Sequence, residues 1–114
     1  MSRRDRERLD DIVEAIIAIR SHVSRGDLSD DLIFDAVRVR LIEIGEAIKA
    51  LPSPLVATEP SIPWSDIARL RDRLAHHYFD TEHSIVAATV ANDIDLLEAA
   101  VMRIRRGLNT DDDS

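Results

Sequence analysis

Arg71, Asp72, His76, His77 and Tyr78 fall within eight residues of a 114-residue chain, and no other stretch gathers a cation, a carboxylate, imidazoles and a phenol so closely. These residue types suit cleavage of an RNA phosphodiester without a metal ion. An imidazole takes the 2′-hydroxyl proton or protonates the leaving 5′-oxygen. A guanidinium grips the phosphate bidentately and stabilises the charge that develops on it. The 2′-hydroxyl is an internal nucleophile, so no covalent enzyme intermediate is required.

Helical geometry sets conditions on this chemistry. Asp72 and His76 are four residues apart and share a helix face, so the spacing predicts a hydrogen bond from the His76 ring to Asp72, favouring the protonated imidazole. Arg71 and His76 are five apart, about 140° around the axis, and do not meet within one regular helix. Either the helix ends before His76, or the site combines residues from two chains. There is also a plainer reading, in which cations near a helix C-terminus are ordinary dipole partners. A metal site drawn from His76, His77, Asp80, Glu82 and His83 is conceivable but lacks a recognisable ligand spacing, so no metal and no cofactor is expected. Tyr78 and Phe79 also suit a packing anchor, and His22 and His83 read as surface or boundary residues.

The elements that must position this stretch are helices. Leu9, Ile12, Val13, Ile16, Ile17 and Val23 step by threes and fours, predicting a helix over about 4–24, interrupted by Arg20 and stopped near Gly26. Ser29 or Asp30 caps a second helix over about 30–51, with a stripe through Phe34, Val37, Leu41, Ile44, Ile48 and Leu51 and a partial second stripe through Ile33, Ala36 and Ala47. Two apolar faces make this helix central, or leave one seam for another copy of the chain. Pro52, Pro54, Pro60 and Pro63 mark residues 52–63 as a connection, with Pro63 a candidate first residue of a short third helix over about 64–77. Asp80 or Thr81 caps a fourth helix over about 82–106, stopped by Gly107. The expected architecture is all-α: an up-down bundle of four main helices in one domain over 1–108, with residues 109–114 an acidic disordered tail.

Composition agrees. Apolar residues make up 45% and aromatics only 4%, which favours helices over sheet. The absence of cysteine removes disulfides and thiolate metal sites. No apolar run is long enough for a signal peptide or a membrane span, so a cytoplasmic protein without membrane contact is expected. The net charge of −7 argues against a protein that coats nucleic acid, and an RNA substrate needs a local basic patch. Arg3, Arg4, Arg6 and Arg8 near the start and Arg103, Arg105 and Arg106 near the end read as a solvated face interleaved with acids, or as a surface for RNA or a partner.

Arg71, four residues, His76, one residue, Tyr78 resembles the Arg-x(4–6)-His-x-Tyr motif of the HEPN superfamily, and is most similar to the HepT-like toxins of MNT-HEPN toxin–antitoxin pairs. Ile44-Gly45-Glu46-Ala47 resembles that family's IGEA segment, and Ile62-Pro63-Trp64 ahead of Ile67 and Arg71-Asp72 resembles its lead into the motif helix. The likeness covers about residues 5–106. It implies a HEPN-like fold, a homodimer whose motifs face each other across a cleft, and a metal-independent endoribonuclease with Arg71 and His76 as the catalytic pair and Asp72 in support. It also implies an MNT-type nucleotidyltransferase antitoxin that transfers AMP onto Tyr78. Glu46 is either structural or in touch with the site. The competing functional class is a non-catalytic helical partner or nucleotide-binding subunit of a nucleotidyltransferase.

Overall fold

The computed structural model describes residues 3–76 and 79–113, the latter without the side chains of residues 79–82 and 109–113. Every regular element among the described residues is a helix: α1 (Arg3–Arg25), α2 (Asp31–Lys49), α3 (Ser53–Val56), α4 (Trp64–Ala75), α5 (Phe79–Asn92) and α6 (Ile94–Asp113).

Local chemistry explains most boundaries. Asp30 caps α2, its Oδ1 accepting from Leu32 N at 2.9 Å and Ile33 N at 3.4 Å, while Asp27 Oδ1 closes the preceding turn by accepting from Ser29 N at 3.0 Å. Pro63 lies one position earlier than the first helical residue expected of it. It is the N-cap of α4, with Trp64 the first helical residue. The Trp64 Nε1–H donates to the Glu59 carbonyl at 2.9 Å, tying α4 back to the proline-rich connection. That connection contains the single turn α3, too short to leave a periodic pattern in the sequence.

The long fourth helix of the sequence reading is divided at Asp93 into α5 and α6. The division is shallow, since Asp93 N still donates to Thr89 O and Leu97 N to Asp93 O, both at 2.9 Å. Thr89, the one buried polar side chain among the described residues, turns its hydroxyl back onto the Ile85 carbonyl at 2.8 Å, an arrangement that bends helices. At the start, α5 begins at Phe79, ahead of the Asp80 and Thr81 marked as caps. At the other end, Gly107 does not stop the helix. α6 continues through it to Asp113, into the segment the sequence reads as a tail.

As its two apolar faces imply, α2 is central, packing against α1, α4 and α5, while α6 lies along α1. Leu9, Ile12 and Ile16 of α1, Val37, Leu41 and Ile44 of α2, Leu74 of α4, Val86 of α5 and Leu97 and Val101 of α6 are all fully buried in one core. Each such side chain contributes about 1.5–3 kcal/mol of transfer free energy. Ion pairs fix the order of the ends. Arg20, the cation that interrupts the α1 stripe, reaches Asp95 at 2.6 Å and Glu98 at 2.8 Å on α6. Arg105 reaches Asp10 at 3.0 Å, so the start of α1 and the end of α6 share one end of the bundle. Near the other end, His83 of α5 lies 3.1 Å from the Leu28 carbonyl and stacks on Phe34 with ring centroids 5.2 Å apart, a packing role. Among the described residues no helix is long and apolar enough to cross a membrane.

Candidate active site

Arg71 stands where α4 crosses α2. The helices come close there because Gly45 has no side chain. A Cβ on Gly45 would sit 3.1 Å from the Ala68 carbonyl oxygen and 3.2 Å from both the backbone nitrogen and the Cβ of Arg71. The next residue, Glu46, points at the same place, and its Oε1 accepts from Arg71 Nε at 3.0 Å. Glu46 is therefore in touch with the site, and the Gly45-Glu46 pair does two jobs. The glycine lets the motif helix approach, and the glutamate orients the guanidinium. Arg71 Nη1 also donates to Asp72 Oδ1 at 3.3 Å. Neither contact uses Nη2, whose two N–H groups make no bond among the described residues.

Asp72 is differently employed than its spacing suggests. Lys49 Nζ, from the last turn of α2, donates to Asp72 Oδ2 at 3.2 Å. The hydrogen bond and charge of Lys49, with lesser help from the charge and hydrogen bond of Arg71, hold the Asp72 carboxyl below its ordinary value against the opposing effect of desolvation. Asp72 is thus an anionic acceptor at neutral pH. No hydrogen bond between Asp72 and His76 is present among the described contacts, because a full cation on the neighbouring helix takes the carboxylate first.

The end of α4 has its own device. Arg38 of α2 donates from Nε at 3.0 Å and Nη2 at 2.7 Å to the carbonyl of Leu74, one of the last carbonyls that no helical N–H reaches. Helix α4 stops at Ala75, two residues earlier than the end expected for it at about residue 77. His76 is the C-cap, with φ −91° and ψ 0°, and is exposed. Of the two remedies for the Arg71–His76 geometry, the helix end before His76 is the one observed within the chain. No hydrogen bond or ion pair joins His76 to Arg71 or Asp72 among the described residues. Tyr78 and His77 lie outside the described residues, as do the side chains of Asp80 and Glu82. Among the described residues no group of three or more His, Asp or Glu side chains is arranged to hold a metal.

The site opens onto a cavity of about 380 Å³ lined by Arg8 of α1, Glu46, Lys49 and Ala50 of α2, and Arg71 of α4. Three cations and one carboxylate line it, on a chain whose net charge is −7. This is a local basic patch of the kind an RNA substrate needs. The remaining arginines are mostly paired on the surface: Arg3 with Glu7 at 3.5 Å, and Arg103 with Glu59 at 2.6 Å. These agree with the solvated-face reading of the terminal clusters.

Of the site, the motif residues were visible in the sequence, whereas Lys49 and Arg38 were not. Glu46 and Lys49 are three apart and share a face of α2, which was the available signal. Nothing in the spacing of Arg38 marks it as a clamp on Leu74.

Comparison with known proteins agrees with this picture. Residues 9–104 match the family model described as ribonuclease HepT-like. A protein of Thermococcus cleftensis named "Probable ribonuclease HepT" is 34% identical over 111 residues, covering 93% of this chain and all of the relative. Proteins named "Putative RNase" from Methanocaldococcus jannaschii and Caldanaerobacter subterraneus subsp. tengcongensis are 38% and 36% identical over 60% and 72% of this chain, covering 64% and 74% of their own lengths. No solved structure matches the chain at a significant level.

Proposed function

Given that the chain belongs to the HepT-like family of the HEPN superfamily, we propose that it is a metal-independent endoribonuclease, the toxin of a toxin–antitoxin pair. The observation that carries this reading is Arg71, fixed by Glu46 and Asp72 with Nη2 unengaged, at the edge of a basic cavity on an otherwise acidic chain.

Arg71 offers its remaining N–H groups to the scissile phosphate and meets the charge that grows on its oxygens. His76 serves as acid or base. One imidazole accepts the 2′-hydroxyl proton as the 2′-oxygen forms a bond to phosphorus. A protonated imidazole gives its proton to the 5′-oxygen as the P–O5′ bond breaks. The products are a 2′,3′-cyclic phosphate and a 5′-hydroxyl. Two imidazoles in these roles fit a homodimer in which each cleft draws on both chains.

Asp72 and Glu46 are positioning residues. Both are carboxylates held by cations, and neither is suited to proton transfer to RNA. Tyr78 is two residues beyond His76. AMP transferred to it by an MNT-type nucleotidyltransferase antitoxin adds bulk and negative charge beside the motif, which opposes entry of RNA.

The test is RNA cleavage by purified protein of unmodified mass in EDTA, with the termini of the products identified. Cleavage that leaves 2′,3′-cyclic phosphate and 5′-hydroxyl ends supports the reading. A folded, unmodified protein that cleaves no RNA, with or without divalent metal, favours the non-catalytic partner of a nucleotidyltransferase instead.

A further inference from the structure

We infer that the cavity beside Arg71 is a second phosphate subsite, in which Arg8 and Lys49 hold the RNA phosphate next to the one being cleaved. The inference rests on the ribonuclease reading and extends it to residues outside the motif.

Three helices send a cation into this one cavity: Arg8 from α1, Lys49 from α2 and Arg71 from α4. Its volume of about 380 Å³ is near the lower end of small-ligand sites, room for one nucleotide unit and not for a folded stem. Glu46, its one carboxylate, is already committed to Arg71 at 3.0 Å. Arg8 is the least committed cation. Its nearest carboxylate, Asp11, is 3.8 Å away, too far for a hydrogen bond, and its side chain is 48% exposed. Exchanging that loose pairing for a phosphate gains charge-assisted hydrogen bonds at small cost. Lys49 gives one contact to Asp72 and has further ammonium protons to offer.

The charge pattern also sets where the subsite ends. The adjoining cavity between α1 and α2 shares Arg8 and Glu46 but adds Asp11, Glu14 and Glu43, with Arg40 already paired to Glu43 at 3.0 Å. A phosphate moving on from Arg8 meets carboxylates. The subsite therefore accommodates a single flanking phosphate, and a longer strand must leave the surface beyond it.

The experiment is steady-state cleavage of a dinucleotide with one phosphate, and of two trinucleotides that extend it by one nucleotide on the 5′ or the 3′ side. The enzymes are wild type, Arg8→Gln, Arg8→Lys and, as a charge control away from the cavity, Arg3→Gln. For wild type, one trinucleotide is cleaved with lower KM than the dinucleotide. In R8Q the ratio of kcat/KM for that trinucleotide over the dinucleotide falls about tenfold, through KM. The salt dependence of log kcat/KM for that trinucleotide flattens by about 0.7, the value of one phosphate contact on a single strand. R8K keeps most of the advantage, and R3Q keeps all of it. An unchanged ratio in R8Q, or an equal loss on every substrate, overturns the subsite while leaving the ribonuclease reading in place. Wild-type protein that cleaves none of these substrates nor a longer RNA overturns that reading and the subsite with it.

Discussion

Replacing Gly45 by alanine sets helix propensity against space at the α2–α4 crossing. In a helix interior, alanine is favoured over glycine by about 0.8–1.0 kcal/mol. At Gly45 the added Cβ meets Ala68 O at 3.1 Å and Arg71 N and Cβ at 3.2 Å, all below the 3.4 Å at which ordinary contact begins. None of these atoms is the far end of a flexible side chain, so no rotamer change gives relief, and α4 must retreat by about 0.3 Å. Overpacking of this kind costs about 1–3 kcal/mol. The net result is a change between about zero and 2 kcal/mol, destabilising. Gly107 is the internal comparison. It is also helical, but a Cβ there meets nothing within 4 Å, so Gly107→Ala realises the full propensity gain and raises Tm by about 4 °C. Thermal unfolding followed by circular dichroism should therefore place G45A below G107A by about 1–3 kcal/mol. The retreat also displaces Arg71. If about 100-fold is lost per ångström of misplacement, kcat falls roughly fourfold. A G45A protein as stable as G107A, with unchanged kcat, would show that the close approach does not hold Arg71.

Other consequences follow from the same contacts. Arg38→Met removes two charged donors from the Leu74 carbonyl and should cost about 1.5–3 kcal/mol, with faster amide exchange confined to the last turn of α4. Glu46→Gln should leave stability within about 0.5 kcal/mol, because the pair is exposed. It should lower kcat severalfold with little change in KM, as expected of a residue that orients Arg71 and does not touch substrate. Asp93 is partly buried, and burial first, then the negative charge of Asp66, raises its carboxyl above the ordinary value. A raised carboxyl favours folding below its unfolded value and loses that advantage as pH rises through the folded one. Asp93→Asn should accordingly raise Tm at neutral pH relative to wild type. The gain should vanish in acid below the carboxylate range, and a Tm difference independent of pH would exclude the effect.

The helices were legible in the sequence because their stripes are long. Phe34 through Ile48 on α2 repeats often enough to fix both period and face. Elements without periodicity were not legible. The single turn α3 has four residues, and the division at Asp93 depends on Thr89 bonding back to Ile85 rather than on a proline or glycine. The end of α4 was misplaced because residues 75–78 contain no glycine or proline to mark a stop, whereas in the fold Arg38 takes the Leu74 carbonyl. The site was legible as a set of residue types and not as a set of contacts. Spacing along one helix pairs Asp72 with His76, whereas the fold gives Asp72 to Lys49 through a register between α2 and α4 that no single-helix pattern encodes. The glycine and glutamate of the 44–47 segment acquire their meaning only once Arg71 is set against them.

The decisive comparison is cleavage of one RNA in EDTA by wild type, Arg71→Ala and His76→Ala, each verified as folded by circular dichroism. Arg71 as phosphate clamp and His76 as acid or base predict that each variant loses at least about 100-fold in kcat, with Tm within a few degrees of wild type, since both side chains are exposed. A folded His76→Ala or Arg71→Ala protein that cleaves at the wild-type rate would contradict the assignment of the reaction to this pair.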